Sequence, residues 1–290
     1  MKKILIQSLF ALASTLTAGS ALADCDNCAK WNTEQAPFAL YGNTYYVGVR
    51  GLSAVLITSP SGHVLIDGGL PQSAPLVEAH IRQLGFRPED IKYILSSHTH
   101  FDHAGAIAEL QRISGATVIA SASSAKALQA GHVGDDDPQF GDSTPFTPIA
   151  SVRIAHDGEV LQLGAAAVTA HLTFGHTPGS TSWTWQSCAD GQCENMVYAD
   201  SLSAVSNDTY KFIDHPAYVA AMEHSFDVVA SLPCDVMVSA HPEFSDLWTR
   251  EAKRAQLGQR AFIDSGACRT YAANARAGLA QRLAEERKAQ

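Results

Sequence analysis

Short apolar runs broken by Gly, Pro and polar turns set the rhythm of this chain. Thr44 to Val49 and Ala54 to Thr58 read as strands, and a third, His63 to Ile66, runs into Asp67-Gly68-Gly69. From Pro75 to Leu84 the period changes: Leu76, Ala79, His80, Ile81 and Leu84 recur at helical spacing until Gly85 stops the run. A strand from Ile91 to Leu95, a helix from about Ala104 to Ile113 and a strand from Thr117 to Ala120 follow. The second half repeats the theme, with strands near Val168 to Leu172, Thr181 to Trp185, Met196 to Ala199 and Val236 to Ser239. Helices are expected near Pro216 to Ala230 and beyond Leu247. Strand, helix, strand order is the grammar of an α/β protein. Between the halves, Gly131 to Ile149 has no periodicity, and a loop of that length inside a compact domain is commonly functional. No tandem repeat or linker divides the chain.

The first residues follow a different pattern. Lys2 and Lys3 precede an apolar run from Ile4 to Leu16, which ends in the small-residue stretch Ala18 to Ala23. That is the pattern of a secretory signal peptide, cleaved after Ala23 and leaving 24–290 as one domain. The run is too short and too diluted by Ser, Thr and Gln to read as a membrane anchor, and no other window is apolar enough to span a bilayer. Asp24 in front of Cys25 argues against lipidation. Export to an oxidising periplasm then gives the 6 cysteines a role as disulfides. Cys188 and Cys193 flank a polar turn between two apolar runs, the spacing of a hairpin staple. Cys234 and Cys268 would then close a longer loop and tie down the last helix, worth about 3 kcal/mol in loop-closure entropy. Cys25 and Cys28 form a C-x-x-C that follows the cleavage site directly. A redox motif would follow a strand, so a local disulfide is expected here.

Composition narrows the partners. The chain of 290 residues is 46% hydrophobic, enough for a real core, and its 29 Asp+Glu against 20 Lys+Arg give a net charge of −9. An acidic surface argues against nucleic acid, whose phosphates require Lys and Arg. A monomer is the default expectation.

The histidines carry the chemistry. His98, His100, Asp102 and His103 form an H-x-H-x-D-H cluster where the strand Ile91 to Leu95 gives way to a helix. His98 and His100, two apart in extended chain, point to the same side and can share one metal, whereas Asp102 and His103, adjacent at the turn, diverge toward a second. Imidazoles with one carboxylate suit Zn²⁺ better than Mg²⁺ or Ca²⁺. His176, in Gly175-His176-Thr177-Pro178-Gly179, and His241, in Ala240-His241-Pro242, also follow strands and fit as further ligands. The other seven of the 12 histidines read as ordinary turn, helix or surface residues. No G-x-S-x-G motif competes.

These motifs, with Asp137-Pro138-Gln139-Phe140 and Tyr198-Ala199-Asp200-Ser201-Leu202-Ser203, closely resemble those of subclass B3 metallo-β-lactamases. The resemblance runs from about Pro37 to the last helix and includes the pairing of Cys234 with Cys268. It implies a four-layer αβ/βα sandwich with two Zn²⁺ at one edge, the first held by His98, His100 and His176 and the second by Asp102, His103 and His241. In the first subclass a cysteine ligates the second zinc; here that segment offers Ser201, and His103 supplies the missing donor. The resemblance further implies that Asp102 orients a zinc-bound hydroxide which opens the β-lactam amide of penicillins, cephalosporins or carbapenems, conferring antibiotic resistance. Ser201 and Ser203 would bind the substrate carboxylate, and Gln139 could reach the substrate from the long loop. Two alternatives stand beside this. Glyoxalase II-like thioesterases and lactonases share the cluster but add a bridging Asp, a role open to Asp200. A secreted zinc-binding domain without turnover would use a closed four-ligand site.

Overall fold

Val55, Leu56 and Ile57 are all buried, and so are His63 through Ile66. Strands apolar on both faces have to be covered on both sides, and the fold supplies that cover in layers. The computed structural model describes Cys25 and residues 27–289; the expected signal peptide and its cleavage site lie outside the described residues.

Twelve strands are seen among them. Phe38–Tyr41 (β1), Thr44–Tyr46 (β2), Val55–Ile57 (β3), His63–Ile66 (β4), Ile91–Leu95 (β5), Thr117–Ala120 (β6) and Val152–Ile154 (β7) form one sheet in sequential order. Val160–Leu163 (β8), Ala166–Leu172 (β9), Thr181–Ala189 (β10), Gln192–Ala199 (β11) and Val236–Ser239 (β12) form the second, in the order β12-β11-β10-β9-β8. The first sheet is antiparallel up to β4 and parallel from there to β7, because the connections after β4 pass through helices. In the second sheet only β11 and β12 run parallel, joined by the helix Pro216–Ser231.

Period-two alternation sorts the side chains into layers. Val55, Ile57, Val64 and Ile66 meet Met196, Tyr198, Val236 and Val238 in a core between the sheets. Their neighbours Leu56 and Leu65 turn the other way, onto the helices Ala74–Gln83 and Ile107–Ser114, with Val77, Ile81, Ile107 and Leu110. Behind the second sheet, Val197 and Met237 pack on Met222, Phe226, Tyr271 and Leu279 of the helices Pro216–Ser231 and Ala267–Lys288. Helix, sheet, sheet, helix is the expected αβ/βα sandwich.

Two local differences from the sequence reading have physical causes. The expected helix over 104–113 is broken into Phe101–Ala104 and Ile107–Ser114, around Gly105. A Cβ on Gly105 would lie within 2.4 Å of Pro71 Cδ, so only glycine permits this close approach. The helix Ala122–Ala130, capped by Ser121 Oγ accepting from the Ser124 N–H, went unread because its Ala/Ser composition gives it a weak apolar face. The cysteine sulfurs stand in three pairs at bonding distance: Cys25 with Cys28 (2.06 Å), Cys188 with Cys193 (2.01 Å) and Cys234 with Cys268 (2.05 Å). Cys188 and Cys193 face each other in the β10–β11 hairpin.

Candidate metal centre

One edge of the sandwich collects the ends of five strands. Asp67 follows β4, His98 to His103 follow β5, His176 lies between β9 and β10, Asp200 to Ser203 follow β11, and His241 follows β12. Strand ends are where α/β folds place chemistry, because the backbone there is free to turn while the sheet fixes its origin. Ties between the sheets hold this edge: Ser53 N–H donates to Ala240 O (2.9 Å), Ser53 Oγ to Ser239 O (2.7 Å) and Thr181 N–H to Ser97 O (2.8 Å).

The sequence-nominated histidines and Asp102 converge here. His100 Nδ1 lies 3.1 Å from His176 Nε2, and a donor atom of His98 joins both within 4.8 Å. His103 Nε2 lies 3.2 Å from His241 Nε2, and Asp102 Oδ2 is 3.4 Å from the first and 3.5 Å from the second. His98 is also within 4.8 Å of Asp102 and His103, so the two groups adjoin. Ligands at 2.0–2.1 Å from a tetrahedral zinc are separated by edges of about 3.3 Å. The observed spacings of 3.1 to 3.5 Å match that edge. Buried His98 Nε2 has no hydrogen-bond partner among the described residues, which is expected of a nitrogen reserved for a metal. The donor set therefore fits zinc.

Each ring is also held from behind. His98 Nδ1–H donates to Asp200 Oδ1 (2.7 Å), His100 Nε2–H to Asp137 Oδ1 (3.2 Å), His176 Nδ1–H to Ser203 O (3.0 Å) and His241 Nδ1–H to Gly51 O (3.1 Å). An acceptor on one nitrogen fixes the tautomer that leaves the other free to ligate. His103 is held more loosely, with Nδ1 3.8 Å from Asp67 Oδ2. Asp67, at φ 58°, is itself gripped by Ser97 N–H (2.7 Å), Ser97 Oγ (2.6 Å) and the Tyr198 hydroxyl (2.7 Å). Asp137, Asp200 and Asp67 are thus functional candidates that spacing did not single out. Asp200 enters the sequence reading only as a possible bridging ligand, and Asp67 and Asp137 only as carboxylates near a strand end or in the long loop.

Electrostatics follow from burial and company. Burial, aided by His100, lowers His176 to about 4; burial, aided by His103, lowers His241 to about 4. Burial drives His98 well below the ordinary imidazole value. Burial alone would raise Asp102, but His103, His241 and His98 hold it well below the carboxylate range, so it is ionised. In turn, Asp102 and Asp67 outweigh burial at His103 and raise it.

Above the donors lies a cleft of about 290 Å³, with Trp31, Gln139, Ser203 and Phe244 around His100, Asp102, His176 and His241. Trp31 leans on His241 with ring centroids 5.3 Å apart. Gln139 reaches the site, its Nε2 3.4 Å from His100 Nδ1. Ser203 lines the cleft with Oγ 3.2 Å from His176 Nδ1, whereas Ser201 is buried and lines the adjoining cavity instead. The seven histidines read as ordinary take no part: His80, for example, is buried and bonded through Nδ1 to Val47 O (2.9 Å).

An αβ/βα sandwich that brings five histidines and an aspartate to one sheet edge, under an open cleft, has the architecture of a metallohydrolase. The sequence pattern described as the metallo-beta-lactamase superfamily matches residues 47–241. Among solved structures, the chain is similar to the Rm3 metallo-beta-lactamase (55% identity, 91% of this chain and 99% of that one, TM-score 0.89). It is also similar to MEM-A1, a subclass B3 metallo-beta-lactamase isolated from a soil metagenome library (54% identity, 90% and 100%, TM-score 0.88). A curated hydroxyacylglutathione hydrolase of Anaeromyxobacter dehalogenans (strain 2CP-C) is 34% identical over 132 residues, and that match spans 45% of this chain but only 41% of the hydrolase. The chain belongs to the metallo-beta-lactamase superfamily, on its subclass B3 branch.

Proposed function

We propose that this protein is a periplasmic β-lactamase that opens the amide bond of penicillins, cephalosporins and carbapenems with two Zn²⁺ per chain, and so confers antibiotic resistance. The observation that carries the reading is the pair of donor triads at the floor of one cleft, one with a 3.1 Å edge from His100 to His176 and the other with edges of 3.2, 3.4 and 3.5 Å, near those of a zinc polyhedron. His98, His100 and His176 would hold the first ion, and Asp102, His103 and His241 the second. When bound, zinc supplies Lewis acidity that polarises a carbonyl and lowers the pKa of water at the site to about 7.

The chain's own groups supply orientation. Ionised Asp102 accepts a hydrogen bond from the attacking water and aims its lone pair at the lactam carbonyl carbon. The C–N bond then breaks, the carbonyl carbon gains the hydroxyl and the ring nitrogen gains the proton. Ser203 Oγ donates to the substrate carboxylate from the cleft side, Ser201 from the adjoining cavity, and Gln139 offers its amide from the long loop. The cleft presents Asp102, Asp142 and Glu243 but neither Lys nor Arg, so an anionic substrate is attracted by the metal charge and these hydroxyls, against a net charge of −9.

Export through residues 1–23, three disulfides and a monomeric state complete the reading. Among the described residues no helix is long and apolar enough to cross a membrane. The kinship with a hydroxyacylglutathione hydrolase supports a second reading, thioester or lactone hydrolysis. That chemistry asks Asp200 to bridge the metals, whereas its Oδ1 holds His98 from behind. A non-catalytic zinc domain is disfavoured by the open cleft over the donors. Hydrolysis of a carbapenem by the purified protein, abolished by EDTA or dipicolinate and restored by Zn²⁺, tests the proposal. Cleavage of a thioester or homoserine lactone without any β-lactam turnover would overturn it.

A further inference from the structure

The long loop brings two groups to the metal centre from one short stretch. Asp137 Oδ1 accepts from His100 Nε2–H (3.2 Å) and from the Gln139 backbone N–H (2.8 Å), so the residue behind the ring and the residue that lines the cleft share one oxygen. The bonds inside this stretch are local turns: Asp137 N–H to Gly134 O (3.1 Å), Phe140 N–H to Asp137 O (2.9 Å) and Ser143 N–H to Gln139 O (3.1 Å). The loop's base is fastened separately, by Phe146 N–H on Gly131 O and Ile149 N–H on Leu128 O (both 2.8 Å). Such turns fix the shape of the stretch but not its place against the sheet edge. Asn207, half-buried in the segment that runs on from Ser203, supplies that tie. Its backbone N–H donates to Pro138 O (2.9 Å) and its Nδ2 to Phe140 O (2.7 Å), on either side of Gln139. Among the described residues, these are the only hydrogen bonds from 134–143 to another part of the chain apart from those with His100. The other end of the same amide serves its own segment: Asn207 Oδ1 accepts from Thr209 N–H (2.9 Å), Thr209 Oγ1 (2.8 Å) and Tyr210 N–H (2.8 Å). That Asx turn holds the side chain in the pose that reaches Phe140.

We propose that Asn207 is a positioning residue for the metal centre: by clamping Pro138 and Phe140 it sets Asp137 behind His100, and so tightens the zinc held by His98, His100 and His176. The inference rests on that zinc assignment and needs nothing from the identity of the substrate. Pro138 follows Asp137 directly, and one residue spans at most about 3.6 Å of chain, so fixing the Pro138 carbonyl leaves the carboxylate little slack. The bond it makes to His100, at 3.2 Å, already stands at the long end of N–H···O geometry. A loop shift of about half an ångström would therefore release the ring. Losing an acceptor behind a ligating histidine typically weakens metal affinity about ten- to a hundredfold, and Asn207 acts one contact further out, so about three- to tenfold is expected.

Two substitutions test the clamp while sparing the local turn. Asn207→Asp keeps the Oδ1 acceptor and the side-chain shape but sets an oxygen against Phe140 O. Asn207→Ser is neutral, can still accept from Thr209 N–H and is too short to reach Phe140 O. An added carboxylate would by charge alone draw zinc more tightly, so weaker binding in both variants reports the clamp and not the charge. In metal-free protein, hydrogen exchange at the Gln139 and Ser143 amides should quicken about tenfold or more, while Phe146 and Ile149 at the loop base stay within about twofold. Zinc affinity is read by chelator competition in two backgrounds. With His241→Ala, which leaves the triad of His98, His100 and His176 intact, either Asn207 variant should lose about three- to tenfold. With His176→Ala, which leaves Asp102, His103 and His241, the change should stay within about twofold. Unchanged exchange at Gln139 overturns the clamp, and faster exchange with unchanged affinity at the first triad overturns its role in positioning His100. Equal quickening at Ile149, or equal loss at both triads, would mean general loosening and also overturn the proposal. A protein that binds no zinc at all overturns the zinc assignment and this proposal with it, a failure told apart because exchange is read without metal.

Discussion

His98 Nδ1–H donates to Asp200 Oδ1 across 2.7 Å, with both side chains wholly buried. The contact fixes the ring so that Nε2, which has no hydrogen-bond partner among the described residues, faces the donor cluster. It engages one oxygen, Oδ1, of that carboxylate. Outer carboxylates of this kind typically change metal affinity by about ten- to a hundredfold. Asp200→Asn is therefore expected to weaken the zinc held by His98, His100 and His176 by about that factor in a chelator competition. Equal affinity in the two proteins would show that the contact does not position His98.

The two triads predict separable losses. His176→Ala removes a donor from one group and His241→Ala from the other, so each should lower bound zinc from about two per chain toward one, measured by elemental analysis after desalting. Full retention of both ions in either variant contradicts that ligand's assignment.

Ser203 touches the cleft from its rim, with Oγ 3.2 Å from His176 Nδ1. A hydrogen bond to a carboxylate is worth about 1.5–3 kcal/mol, so Ser203→Ala should raise KM about tenfold or more while kcat changes little. An unchanged KM removes Ser203 from substrate binding.

In metal-free protein, burial holds His176 and His241 at about 4. An unfolded chain protonates its histidines near 6.5. Between those values the unfolded state binds more protons, so these two groups withdraw stability as pH falls from about 6.5 to about 4. Asp67, raised to about 6 by burial, acts in the opposite sense as pH falls from about 6 toward the ordinary value of 3.8. The direct check is imidazole nitrogen NMR at pH 5.5, where both rings should be neutral. Protonated rings at that pH would contradict the burial argument.

Much of the site was legible because its ligands lie in one short cluster and two strand-end turns. H-x-H-x-D-H fixes four donors within six residues, and the β5 strand that launches them announces itself as Ile91 to Leu95. The positions of His176 and His241 gain meaning only alongside that cluster. Asp137 and Asp200 stand inside recognisable motifs, yet nothing in their spacing tells which imidazole each holds, since those contacts span 37 and 102 residues. The break at Gly105 was hidden for a similar reason: the next N–H, of Ala106, is bonded to Gly69 O (3.1 Å), a tertiary contact with no local signature. That Ser203 lines both the metal cleft and the adjoining cavity while Ser201 lines only the latter likewise depends on the last helix packing behind β11.

The central claim is that two zinc ions in this site serve β-lactam hydrolysis. The most direct measurement titrates Zn²⁺ into chelator-stripped protein while following a carbapenem, a glutathione thioester and an N-acyl homoserine lactone in parallel. The account predicts carbapenem turnover that rises from the stripped baseline and levels off near two equivalents of zinc, with little cleavage of the other two. Thioester or lactone cleavage that rises with zinc while the carbapenem stays intact would contradict it.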